Sequence, residues 1–211
     1  MPKPSVLFLA LLLPFCLHAQ RDSHYFKNVI SVAPLRLADP GNSGIEVAYE
    51  YQYKPRLSTQ LVAAYMTPAF SNTEHWIQYQ GFRLGIDQRL YPASLGNHAF
   101  VAFGIVLNKA RFLNAGMYQT ATDSMGHFDT VHLHKTNLIF NLTYGTQAVL
   151  FRRFTFDFSS GIGIKYRQIK QDEPGEPVER ETDWISNTYF SRPSRTWTAA
   201  FPVIIRLGYC F

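Results

Sequence analysis

From Trp197 to Phe211 the chain alternates without a break. Phe211, Tyr209, Leu207, Ile205, Val203, Phe201, Ala199 and Trp197 share one parity, and Cys210, Gly208, Arg206, Ile204, Pro202, Ala200 and Thr198 share the other. A period of two belongs to a strand, whose successive side chains point to opposite faces. One face of this strand is apolar along its whole length and aromatic at both ends, while the other carries Arg206. A chain that ends this way folds with strands, and every partner strand must match the same division of faces.

The same alternation recurs seven more times. The first segment, about 28 to 37, is interrupted by Pro34, which cannot donate to a ladder. In the second, Ile45, Val47, Tyr49, Tyr51 and Tyr53 oppose Glu46, Ala48, Glu50 and Gln52. The third places Leu57, Thr59, Leu61, Ala63 and Tyr65 on one face, and the fourth sets Phe82, Leu84, Ile86 and Leu90 against Arg83, Asp87 and Arg89. Val101, Phe103, Ile105 and Leu107 mark the fifth, Leu138, Phe140, Leu142 and Tyr144 the sixth, and Phe154, Phe156, Phe158, Ile162 and Ile164 the seventh. Links after the second, fourth and sixth segments are short, as at Tyr53-Lys-Pro-Arg56 and Phe151-Arg-Arg153. Those after the third (67–78), fifth (about 112–132) and seventh (about 168–195) are long. This is the pattern of an up-and-down antiparallel sheet with its turns at one end and its loops at the other.

Alternation alone does not separate a membrane barrel from a soluble sandwich, since each has one apolar face. The polar face does separate them. It carries Glu46, Glu50, Asp87 and Asp157 together with Arg83, Arg89, Lys165 and Arg206, and it also takes Gly81, Gly85, Gly104, Gly145, Gly161, Gly163 and Gly208. Glycine weakens a strand and has no reason to prefer a solvated face. Inside an eight-stranded barrel the lumen is just wide enough for side chains, so small residues must alternate with large polar ones. Charges enclosed there must be paired, because an unpaired one costs several kcal/mol. The eight ionic residues are therefore expected to form one network within the lumen.

Composition agrees. Only 17% of residues are charged against 46% hydrophobic, and no stretch after the first twenty residues is apolar enough for a spanning helix. Residues 1–19 read as a cleaved secretory signal peptide, with Lys3, an apolar run from Val6 to Leu17 and Ala19 at the cleavage site. A lipid anchor on Cys16 is opposed by Phe15, since such leaders need a small residue there. Residues 20–211 would then be a single barrel domain, with Cys210 as a small filler and no intrachain disulfide. The formal charge of +5 comes from scattered basic residues, and no Arg/Lys-rich helix invites nucleic acid.

The segments Asn28-Val-Ile-Ser-Val-Ala-Pro-Leu35, Gly44-Ile-Glu-Val-Ala-Tyr-Glu-Tyr51, Gly85-Ile-Asp-Gln-Arg-Leu-Tyr91 and Leu207-Gly-Tyr-Cys-Phe211 carry a resemblance. The chain is similar to the small OmpA/OmpX-type eight-stranded outer-membrane barrels of bacteria, and more closely to an uncharacterised barrel family common in Bacteroidota. The resemblance implies an all-β, single antiparallel transmembrane up-and-down β-barrel of eight strands. It also implies residence in the outer membrane as a monomer, contact with outer-membrane lipid and lipopolysaccharide, and a terminal signal, Phe211 with Tyr209 and Leu207, read by the barrel-insertion machinery. On activity it is nearly silent, and a structural or adhesive role through external loops is the expectation.

One loop holds a candidate constellation for chemistry. Asp123-Ser-Met-Gly-His-Phe-Asp-Thr-Val-His-Leu-His134 holds His127, His132 and His134 with Ser124, Asp123 and Asp129, which a lipid- or peptide-modifying barrel enzyme would use. No nucleophile elbow, zinc-helix motif or paired-carboxylate arrangement accompanies it, so no catalytic residue, metal or cofactor is assigned. A narrow pore is a further alternative, opposed by the charged side chains expected to fill the lumen. Six of the fifteen acids cluster between Asp172 and Asp183 in a solvated tip. Lys109, Arg111, Lys135 and Arg167 are expected at the outer rim, within reach of lipopolysaccharide phosphates.

Overall fold

The computed structural model describes residues 27–38, 43–67, 76–92, 98–120, 123–151, 153–172, 176–177 and 194–211. The proposed leader, Met1 to Ala19, and most of the acidic tip lie outside these residues. The strands are β1 (Asn28–Val32), β2 (Gly44–Lys54), β3 (Leu57–Met66), β4 (Trp76–Leu90), β5 (Ala99–Thr120), β6 (Asp123–Leu150), β7 (Phe154–Gln171), β8 (Glu176–Pro177), β9 (Ser194–Ala200) and β10 (Val203–Cys210). A short 3₁₀ helix spans Pro34–Ala38.

The chain is all-β, an antiparallel up-and-down sheet whose strands stand in a ring. Each strand from β1 to β6 pairs with the next, and β10 joins both β1 (Ile30↔Tyr209) and β7 (Arg206↔Asp157). β9 and β10 both run along β7 and are two halves of one stave, so the ring has eight staves. The two-residue β8 lies outside this path, against β5 at Tyr118↔Pro177. Asn28 and Phe211 meet where the ring closes. The Phe211 amide donates to the Asn28 carbonyl at 3.0 Å, and Tyr49 donates its hydroxyl to the Asn28 side chain at 2.8 Å.

The faces divide as the alternation predicts. Ile45 (60% exposed), Tyr65 (61%), Ile162 (62%) and Val203 (62%) point away from the ring, whereas Glu46, Arg83, Arg89 and Arg206 are buried within it. Gln88, which interrupts the outward apolar row of β4, is held there by polar neighbours. It donates to the Tyr53 hydroxyl at 2.9 Å and accepts from Thr59 at 3.0 Å.

Four expectations need correction. The first strand ends at Val32 rather than continuing to residue 37, because Pro34 has no amide to donate and the backbone turns into the 3₁₀ helix. The closing strand is broken at Phe201–Pro202 for the same reason. The link 67–78 is shorter than expected, since β4 already begins at Trp76. A register shift between Ile77 and Gln80, with Gln78 at φ 57°, masks the start of its alternation. The expected loop of 112–132 is mostly strand: β5 and β6 continue as one long hairpin with only residues 121–122 between them.

Beyond the polar interior that hairpin has apolar residues on the inward face. Phe112, Val131 and Leu133 pack with Met66, Tyr79, Ala110 and Ile169 into a buried cluster at the end of the ring away from Phe211. The outward face there carries Lys109, Arg111, His132 and His134, so the polar and apolar faces are exchanged relative to the rest of the ring and the outward apolar row does not continue. At the opposite end β2–β3 and β6–β7 make short turns, and Phe154 packs edge-on to Tyr209 at 5.7 Å.

The interior is close-packed where glycine meets an aromatic ring. A Cβ on Gly145 would lie 2.5 Å from Phe100 Cζ and 2.6 Å from the Phe158 carbonyl oxygen, whereas one on Gly85 would meet Val106 Cγ2 at 3.3 Å. Gly145→Val should therefore cost ~1–3 kcal/mol through overpacking, and Gly85→Ala much less. Urea unfolding midpoints of the two variants check this; equal midpoints would contradict it.

Candidate functional site in the ring interior

The eight charged residues of the polar face come from four staves, and the period-two pleat turns all of them inward. They form two clusters at different heights. Arg89 of β4 is at the centre of the one nearer Phe211. It donates from Nη1 to Glu50 Oε2 at 2.9 Å and to Asp157 Oδ2 at 2.7 Å, and from Nη2 to Gln60 Oε1 at 2.8 Å. Its guanidinium also stacks over Phe100, 4.2 Å from the ring centroid. Glu50 accepts further bonds from Ser58 Oγ at 2.5 Å, the Tyr91 hydroxyl at 2.7 Å and Gln147 Nε2 at 3.0 Å. This saturates the carboxylate, which has about four lone-pair sites.

Glu46 of β2 is the centre of the second cluster. Three guanidiniums converge on it: Arg83 at 2.8 Å, Arg206 at 3.0 Å and Arg36 at 3.4 Å. Arg83 also donates through Nε to Asn108 at 3.0 Å. Asp87 and Lys165, the remaining two of the eight, line a cavity of about 240 Å³ beside this cluster. Asp87 packs over Gly104, and a side chain on that glycine would collide with it.

Three cations inside the ring were not expected there. Arg36 reaches in from the 3₁₀ helix to Glu46, and Lys135 (4% exposed) and Arg167 (6% exposed) are buried rather than at the outer rim. Lys135 has the parity of Asn137 and Asn141, so continuing the alternation of β6 back from residue 137 would have found it. Arg36 offered no such signal, because residue 36 was assigned to a strand. Among the described residues the interior thus holds seven bases against four acids. Of the four bases expected at the rim, Lys109 and Arg111 are exposed on the outward face.

The histidines lie on a strand rather than a loop, and His132 and His134 have different partners. His132 is bonded to Arg111 Nη2 at 3.3 Å, and His134 Nε2 meets Asp172 Oδ2 at 2.8 Å, each a separate surface pair. The side chains of His127, Ser124, Asp123 and Asp129 lie outside the described residues. Among the described residues no group of three His, Cys, Asp or Glu side chains is gathered as metal ligands would be. Phe211 (57% exposed), Tyr209 and Leu207 share the outward face at the ring seam, and the Arg153 guanidinium donates to the Tyr209 hydroxyl at 2.8 Å. Cys210 is a buried free thiol.

No protein-family model and no curated protein matches this chain. The reading of its function therefore rests on the geometry alone.

Removing Arg89 would leave Glu50 and Asp157 buried without their shared cation. Arg89→Met should lower stability by ~3–5 kcal/mol, and Arg206→Met by less, because Glu46 keeps Arg83 and Arg36. Unfolding midpoints in urea rank the two, and the opposite order would show that the Glu46 cluster is the more critical.

Proposed function

We propose that the chain is an integral outer-membrane β-barrel protein of eight staves, similar to the small OmpA/OmpX-type barrels, with a structural or interaction role exerted through its external loops. One observation carries this reading: Glu46, Glu50, Arg83, Arg89, Asp157 and Arg206 are enclosed and paired, while Leu84, Ile86, Ile162 and Ile164 face outward and exposed around the ring. In water such a band would be an exposed apolar surface of a kind that soluble monomers avoid. In hydrocarbon it is the expected exterior, and a closed ring satisfies the backbone groups that lipid cannot.

Lengths support the reading. β2 has 11 residues and β3 has 10, close to the ~9–11 that a tilted strand needs to cross a bilayer. Tyr51, Tyr53, Phe154, Tyr209 and Phe211 would lie at one headgroup level, and Tyr65 and Trp197 at the other, as amphipathic rings do. Phe211, Tyr209 and Leu207 would present the insertion signal. Export through the 1–19 leader belongs to the same reading, as do contacts of Lys109 and Arg111 with lipopolysaccharide phosphates.

Ion pairs and the apolar cluster around Phe112 and Leu133 fill the interior, so the barrel is proposed to be closed to ions. The enzyme alternative gains nothing from His132 and His134, which are engaged in separate pairs, and it is not developed further.

Two measurements test the proposal. Extracted from membranes and run unboiled on a denaturing gel, the protein should migrate differently from the boiled sample, because a folded barrel resists the detergent. In planar bilayers it should show no porin-scale steady current. Recovery as a soluble periplasmic protein without a gel shift would sink the membrane reading, and large currents would sink the closed interior.

A further inference from the structure

Among the described residues one side of the ring has less wall than the rest. β1 stops at Val32, opposite Leu207, so among these residues β10 above that point has no partner on that side other than the 3₁₀ helix turning past it. Among the described residues β9, further along the same stave, pairs with β7 alone. The break at Phe201–Pro202 falls within this stretch.

The opening is amphipathic. Its outer mouth is a pocket of about 240 Å³ lined by Leu35, Phe201, Val203 and Ile205. Leu35, Phe201 and Val203 are respectively 58%, 74% and 62% exposed, and all three face the proposed hydrocarbon. Arg36, Phe201, Pro202 and Ile204 line both this mouth and the inner cavity beside Glu46, so the two adjoin across these residues. The inner cavity is cationic: Arg36, Arg83, Arg89, Lys165 and Arg206 face it against Glu46 and Asp87. Arg206 in its wall is 2% exposed, so its charge is little screened by water.

We propose that this gap is a lateral portal through which the ring takes the anionic head group of an acyl-chain amphiphile from the surrounding lipid, and the proposal rests on the membrane reading above. The head group sits against Arg206 and Arg36. Its chain remains outside along Leu35, Phe201 and Val203. Charge selects the head: an anion offsets the cationic excess, whereas a zwitterion brings a second cation into it. Size agrees, since about 240 Å³ is below the ~300–1,000 Å³ of pockets that enclose whole drug-sized ligands. Among the described residues the edge of β9 away from β7 is unpaired, and its backbone groups are ones that lipid cannot satisfy and that a hydrated head group can.

The test uses the full exported chain folded in an uncharged detergent, titrated with dodecyl phosphate, dodecylphosphocholine or inorganic phosphate and read by native mass spectrometry. Retention of a single dodecyl phosphate per chain is expected, at least tenfold tighter than dodecylphosphocholine. Arg36→Gln should weaken it roughly tenfold or more, as loss of one ionic hydrogen bond does. Ala200→Trp, which fills the cavity wall beside Pro202, should abolish it, with both variants keeping the heat-dependent gel shift that reports a folded barrel. Equal retention of the two amphiphiles by a protein that shows the shift overturns the portal and leaves the membrane reading standing. Inorganic phosphate binding as tightly as dodecyl phosphate overturns the lipid source, making the cavity a free-anion site. A soluble protein with no shift overturns both proposals.

Discussion

The Arg89 guanidinium is the interaction on which the rest of the ring depends. From β4 it reaches Glu50 on β2, Gln60 on β3 and Asp157 on β7, and it lies over Phe100 of β5. Five of the eight staves thus meet on one side chain that is 1% exposed. Glu46 repeats the device higher up, joining β2 to β4, to β10 and to the 3₁₀ helix. Buried ion pairs add little net stability over well-packed apolar residues, but losing one partner is severe. Each cluster therefore makes the presence of the staves it joins a condition for its own satisfaction.

That condition fixes the faces. Once the charges are inside, the opposite parity of every strand must lie outside, and it is there that Ile45, Leu84, Ile162 and Val203 are found. A one-residue slip of register would exchange the two sets and bury apolar groups against unpaired ions, so the register is strongly specified. The same logic places the weak point of the wall. Where Pro34 and Pro202 remove amides from adjacent staves, no ladder can form between them, and a mouth opens beside the cationic cavity.

Much of this was legible in the period-two pattern, because outward residues alternate with inward ones wherever the interior is polar. The eight ionic positions and the outward row Leu207, Tyr209 and Phe211 could be read by parity alone. What parity cannot give is the partner. Glu50 meets Gln147 across 97 residues of chain and Arg206 meets Glu46 across 160, and only the closed ring sets those distances. The upper part of the β5–β6 hairpin resembles a loop in sequence because its faces are exchanged: Phe112, Val131 and Leu133 point inward while Lys109, Arg111, His132 and His134 point outward, so the outward apolar row stops. Arg36 was hidden by a proline that ends a strand one turn early. The histidine run drew attention for its composition, yet the strand register gives His132 and His134 different partners.

The central claim is that the two faces of the strands meet different media, hydrocarbon outside and a closed polar interior within. Spin labels placed singly at Ile86 and at Ala102, in protein reconstituted into lipid vesicles, test it directly through their accessibility to oxygen and to a water-soluble paramagnetic complex. The account predicts that the label at Ile86 is relaxed strongly by oxygen and hardly at all by the complex, while the label at Ala102 is shielded from both. A label at Ile86 that responds chiefly to the water-soluble complex would contradict it, because the apolar band would then face water.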